Sequence, residues 1–131
     1  MSAHRLSLSI LKGTYAICRL ASDSPPPAWA LESSHYSITR TGDEMSIVVP
    51  ERCVPADVIA SRGWQAIRFA GPMPLDQSGI LASVTTPLAA ARVSVFAMAT
   101  YDTDYILIPA AQRSSAVAAL EAAGHRVATE L

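Results

Sequence analysis

The chain has 131 residues and a mass of 13.9 kDa, enough for one ordinary domain or two very small ones. Half of the residues are apolar, 16% are charged and the mean hydropathy is +0.27, which excludes a disordered chain. A net charge of -1 and a pI near 6.3 offer no basic surplus for nucleic acid. No apolar run reaches the ~20 residues of a membrane-spanning helix.

The segment from Met1 to Leu11 has Lys12 after its apolar stretch, not before it. It lacks the basic start, long apolar centre and small-residue cleavage site of a secretory leader. That pattern points to a cytoplasmic protein. Two cysteines, Cys18 and Cys53, make neither a disulfide framework nor a zinc site. Cys18 lies in an apolar extended run and reads as a buried, inert thiol. Cys53 has no sequence-local base that would make it a nucleophile.

In chain order, Leu6, Leu8 and Ile10 alternate as in a strand, and Tyr15 to Leu20 resumes an extended pattern after Gly13. Ser22 to Pro27 is a breaker cluster, and Ala28 to Leu31 has room for one helical turn. Tyr36 to Arg40 and Met45 to Val49 flank a four-residue turn containing glycine, the signature of a hairpin. Pro55 to Ala60 reads as a short helix and Trp64 to Phe69 as a strand. Ile80, Leu81, Val84, Leu88 and Ala91 then recur at helical spacing, with Pro87 inside the pattern. Val93 to Ala99 and Asp104 to Ile108 read as paired strands. A second helix runs to about Ala123 and stops at Gly124. Arg126 to Glu130 reads as a last, edge strand.

Displacing the first hairpin by 59 residues places Thr41 on Thr100, Asp43 on Asp102, Ile47 on Ile106 and Pro50 on Pro109. The chain therefore reads as two βαββαβ units. The expected fold is α+β: two tandem ferredoxin-like units, the first degenerate, with antiparallel sheets and helices on one face. The expected division is residues 1–62 and 63–131.

Two stretches carry chemistry. In Leu75-Asp76-Gln77-Ser78-Gly79-Ile80, a loop feeds a helix that opens at a glycine. The first N–H groups of such a helix lack intrahelical partners and lie at the positive end of its dipole. Gly79 lets an anion approach them, and a carboxylate fits better than a phosphate because no P-loop lysine follows. The plainer reading has Ser78 or Asp76 capping the helix. In Thr100-Tyr101-Asp102-Thr103-Asp104, carboxylates and hydroxyls converge on one turn that could receive an ammonium group. The plainer reading is a solvated hairpin turn. Together the two stretches match a zwitterion. His4, His35 and His125 are scattered, without a metal-spaced pair, and no serine sits in a nucleophile elbow. The chain is expected to be non-catalytic and to need neither metal nor cofactor.

The run Gly79-Ile80-Leu81-Ala82-Ser83-Val84-Thr85-Thr86-Pro87-Leu88, followed by Ala99-Thr100-Tyr101-Asp102-Thr103-Asp104-Tyr105-Ile106-Leu107-Ile108-Pro109, resembles the ACT-domain superfamily. More closely it is similar to the tandem-ACT branch of the CASTOR arginine sensors and their small bacterial relatives. The likeness is specific over residues 75–124 and looser over 6–70. ACT domains bind amino acids and other small metabolites, usually between paired modules.

The resemblance implies ligand contacts at Pro74, Gln77, Gly79 and Ile80 on the loop and helix start. It also implies contacts at Thr100, Tyr101 and Asp104 on the strand end and turn. The resemblance further implies that Ser94 and Val95 of a neighbouring module complete the pocket. The animal sensors hold two tandem units in one chain, so the resemblance implies a homodimer here. It further implies a free amino acid or similar zwitterion as ligand, and a regulated partner protein. Gln77 stands where the arginine sensor carries glutamate. The amide lacks the charge that pairs a guanidinium, which leaves a neutral or smaller amino acid as an equal candidate. The competing expectation is a protein-interaction module with a vestigial ligand site. A weaker one is a small enzyme using Asp102 and Asp104.

Overall fold

The computed structural model describes residues 4–130. The terminal positions of the expected division, residues 1–3 and 131, lie outside the described residues. The elements run β1 (Ser7–Ile10), β2 (Tyr15–Leu20), α1 (Ala28–Leu31), β3 (Ser37–Arg40), β4 (Met45–Pro50), β5 (Ala60–Phe69), α2 (Ile80–Ala90), β6 (Phe96–Ala99), β7 (Asp104–Pro109), α3 (Arg113–Ala122) and β8 (Arg126–Thr129). Two 3-10 turns, Glu51–Cys53 and Ala110–Gln112, follow β4 and β7.

The chain separates into two compact units. Gly13–Trp64 forms one of them, and residues 4–12 join 65–130 to form the other. The sequence reading divides the chain at 62/63 instead. The difference is β1, which pairs antiparallel with the end of β5 (Leu8 opposite Phe69) and parallel with β8 (Leu8 opposite Val127). The Gly13–Trp64 unit is thus inserted between β1 and the strand that β1 pairs with.

In the Gly13–Trp64 unit the strand order is β3-β4-β2-β5, every pair antiparallel. Ala16, Cys18, Met45, Ile47 and Val49 alternate inward along β2 and β4 and meet Ala30 of α1 in one buried cluster. Trp29 packs against that cluster from α1. Burial pushes the Cys18 thiol above its ordinary pKa, against the pull of Arg62. The expected helix over Pro55–Ala60 does not form. Val58 N–H closes a turn on the Pro55 carbonyl. Ile59 already accepts a hydrogen bond from Arg19, and Ala60 pairs with Cys18. Cross-strand pairing there overrides local helix preference. The Glu51 carboxylate fixes the same corner, accepting from Thr14 Oγ1 at 3.2 Å and Gly63 N–H at 2.8 Å.

In the other unit the order is β6-β7-β5-β1-β8. This is the expected βαββαβ order with β1 added as a fifth strand, which makes the β1–β8 pair parallel. Leu8, Ile10, Ile67, Phe69, Ile106 and Ile108 share one sheet face. They are covered by Ile80, Val84 and Leu88 of α2 and by Ala116 and Leu120 of α3. Strand β6 starts at Phe96, three residues later than the apolar run Val93–Val95 suggests. Gly124, at φ +98°, ends α3 as expected.

The 59-residue repeat holds in detail. Ser37–Arg40 and Phe96–Ala99, Met45–Pro50 and Asp104–Pro109, and the two 3-10 turns are each displaced by that spacing. The turns match as well. Thr41 N–H donates to the Glu44 carbonyl at 2.9 Å and Thr100 N–H to the Thr103 carbonyl at 2.8 Å. The copies diverge after the 3-10 turns, where the second continues into α3 and the first into loop.

Candidate ligand site

The site lies within the unit built on α2 and α3. One wall is the loop from β5 to α2 and the other is the turn from β6 to β7. Hydrogen bonds tie the walls together. Thr103 Oγ1 donates to the Phe69 carbonyl at 2.8 Å, and Met73 N–H donates to the Asp102 carbonyl at 2.7 Å. Gly71 permits this approach, since a Cβ there would stand 2.9 Å from Thr103 Cβ.

Gly79 opens α2 at φ +83°, a left-handed conformation that glycine adopts without strain. Neither Ser78 nor Asp76 caps the helix, because no side-chain bond closes its N-terminus. The first-turn N–H groups therefore keep their capacity for an external acceptor. His4 secures the helix entry, its Nε2 donating to the Ser78 carbonyl at 3.1 Å.

On the opposite wall, Thr100 Oγ1 accepts from Thr103 N–H at 3.1 Å and donates to the Thr103 carbonyl. That closed turn brings Asp104, half-buried at the start of β7, to the cavity wall. Among the described residues no cation or hydrogen-bond donor pairs the Asp104 carboxylate. An ionised carboxylate in that position can accept up to several N–H donors from a ligand.

Between the walls is a cavity of about 220 Å³. Pro74, Gln77, Ile80, Thr100, Tyr101 and Asp104 line it. Gly79 sets the helix start but does not line the cavity, and Ser94 and Val95 lie outside it. Ser94 is held by Gln112, whose Oε1 accepts its N–H at 3.2 Å. Met73, Leu75, Ala99 and Thr103 also line the cavity; Leu75 and Thr103 lie in the two stretches singled out in the sequence but are not among the implied ligand contacts, and Met73 and Ala99 lie outside both stretches. The alternation of β6 and the hydroxyl of Thr103 were the available signals for two of them. Asp102 contributes its carbonyl to the wall bond and does not line the cavity. The cavity is smaller than the ~300–1,000 Å³ that takes drug-sized ligands, so it suits a small metabolite. Leu75 and Tyr101 at its mouth are 71% and 80% exposed.

The histidines are not grouped. His125 is buried. Its Nδ1 accepts the Leu6 N–H at 3.1 Å and its Nε2 donates to the Ser83 carbonyl at 2.8 Å. Among the described residues no three His, Cys, Asp or Glu side chains are placed to hold a metal. No helix there is long and apolar enough to cross a membrane.

The ACT domain family model matches residues 59–122, and a second model, of an N-terminal domain, matches residues 13–57. The human cytosolic arginine sensor for mTORC1 subunit 1 is 31% identical over 100 residues, covering 68% of this chain and 29% of that protein. The chain thus spans less than a third of the length of that sensor. Protein Atu0741 from Agobacterium tumefaciens has a similar structure, with a TM-score of 0.93 and 38% identity, covering 98% of this chain and 96% of that one. The regulatory subunit of aspartate kinase from Thermus flavus shares the fold at a TM-score of 0.60 and 13% identity, covering 94% and 99%.

Proposed function

Since the chain belongs to the ACT-domain proteins, we propose that it is a non-catalytic regulatory protein that binds a free amino acid in the cavity between the α2 loop and the Thr100–Thr103 turn. The observation that carries this reading is the meeting of Pro74, Gln77, Ile80, Thr100, Tyr101 and Asp104 around one metabolite-sized space. The open N-terminus of α2, which Gly79 starts and which reaches the cavity at Ile80, takes the carboxylate. Asp104, with Thr100, takes the ammonium group. Gln77 faces the side chain of the ligand.

A second copy closes the mouth. Among the described residues strand β6 pairs with β7 alone, and the strand itself carries no charge. Thr100 N–H points to β7, so the alternation of an antiparallel strand turns the N–H and C=O groups of Ala97 and Ala99 outward. Pairing two copies antiparallel about Ala97 sets Val95 opposite Ala99 and Ser94 opposite Thr100 of the second copy. Ala99 and Thr100 line the cavity, so this register delivers Ser94 and Val95 to it and covers Tyr101. Ligand at such an interface shifts the packing of the dimer or its affinity for a regulated partner. The cytosolic sensor among the relatives supports a cytoplasmic location.

A thermal-shift screen against the twenty amino acids, followed by calorimetry on hits, tests the reading. Asp104→Ala abolishes binding with the fold intact, while Asp76→Ala, outside the cavity, keeps it. Full affinity in Asp104→Ala refutes the placement. A flat screen at millimolar amino acid favours instead a docking role for the exposed Leu75 and Tyr101.

A further inference from the structure

We infer that the β8–α3 edge is a self-complementary surface on which a second copy of the chain docks by strand pairing, separate from the β6 edge beside the ligand cavity. Among the described residues strand β8 pairs only with β1 and ends the sheet. Arg126 and Glu130 donate their N–H groups to the Leu6 and Ile10 carbonyls. Alternation along the strand then turns the N–H and C=O groups of Val127 and Thr129 outward. A second β8, antiparallel and centred on Ala128, sets Val127 opposite Thr129 twice. Both outward groups of each residue are satisfied by that register.

Charge complementarity on both layers favours a second copy as the occupant. Charges on a sheet edge ordinarily guard it against pairing. Here the two-fold arrangement brings Arg126 opposite Glu130 of the second copy on the face away from the helices. Glu130 already pairs with Arg68 at 3.6 Å, so the contact extends an existing ion pair. On the helix face, α3 and β8 leave a groove of about 380 Å³ with Val117 and Val127 on its floor. Arg113 and Glu121 stand four residues either side of Val117 along the same helix face, and both line the groove. Two α3 helices crossing antiparallel about that point set Arg113 against Glu121 of the second copy. Ser114 and Ala118, also in the groove, are small enough for the helices to approach. Such reciprocity, in which one residue meets another and is met by it, is what an isologous interface requires.

Hydrogen exchange of the full chain, read by mass spectrometry at low and high protein concentration together with the particle mass, tests the inference. Exchange across Arg126–Glu130 slows by about tenfold or more as concentration rises, and the mass rises with it. Arg113→Glu loses both effects, and Arg113→Glu with Glu121→Arg restores them. Glu121→Arg alone, a change at an exposed position, creates the same repulsion and keeps the test open if Arg113→Glu fails to fold. Exchange across Phe96–Ala99 separates this surface from the cavity-side pairing. Concentration-independent exchange at Val127 and Thr129, or protection that survives in each of the two single charge-reversal variants, overturns the inference. Protection that arises only on adding an unrelated extended peptide assigns the edge to a foreign strand and overturns it too.

Discussion

Met73 gives its backbone N–H to the Asp102 carbonyl at 2.7 Å, so the loop entering α2 and the turn entering β7 are held as one piece. The cavity walls therefore move together or not at all, and the distance between Gln77 and Asp104 is set by backbone bonding more than by side-chain rotamers.

Gly71→Val strikes that junction. Its Cβ would lie 2.9 Å from Thr103 Cβ and 3.1 Å from the Asp102 carbonyl oxygen, so one wall must shift. Overpacking of this kind costs about 1–3 kcal/mol of stability. Amino-acid affinity is expected to fall by more than the stability loss accounts for, as read by calorimetry on protein that remains folded.

Gln77→Glu puts a carboxylate into the cavity beside the ligand side chain. A charge-assisted bond to a guanidinium is worth about 1.5–3 kcal/mol, roughly ten- to a hundredfold in affinity. The variant is expected to gain arginine binding and to lose affinity for neutral amino acids. An unchanged ranking across the twenty amino acids places Gln77 away from the ligand side chain.

His125→Leu removes a buried ring that bonds two backbone groups. Leu6 N–H and the Ser83 carbonyl are left unmatched, at a cost of about 2–4 kcal/mol. The urea midpoint falls with the slope unchanged. His125→Gln, able to replace one of the two bonds, falls between wild type and His125→Leu.

Cys18 gives a pH signature. Burial raises its folded-state pKa above the ordinary 9.0, so the folded state holds the thiol proton more tightly than the unfolded chain does. This contribution is intact below pH 9.0 and is lost as pH rises through the folded value. Wild-type stability should therefore fall more steeply above that pH than the stability of Cys18→Ala. Parallel pH profiles for the two proteins exclude the effect.

Local patterning made much of the fold legible. Tyr15–Leu20 and Ala28–Leu31 form the elements their residues suggest, and the hairpin repeat extends to the 3-10 turns. What was not legible depends on distant partners. Nothing in Leu6–Ile10 says that its neighbours are β5 and β8. Pro55 and Ala56 resemble a helix start until Cys18 claims Ala60 as its strand partner. At the site, polar and glycine positions could be read from the loop and turn chemistry. Met73 and Leu75 are apolar loop residues without periodicity, and their place on the wall follows from the bond to Asp102. The buried role of His125 likewise depends on Leu6, at the other end of the chain.

The pairing of β1 with β8 also bears on biosynthesis. β1 is made early and its parallel partner last among the elements, with the Gly13–Trp64 unit translated between them. That unit is contiguous and can condense on the ribosome as soon as Trp64 has emerged. β1 can pair with β5 once Phe69 has emerged, but its other edge stays open until translation reaches Thr129. Its serines at positions 7 and 9 keep one side of the waiting strand polar, which limits its tendency to find a wrong neighbour in the meantime.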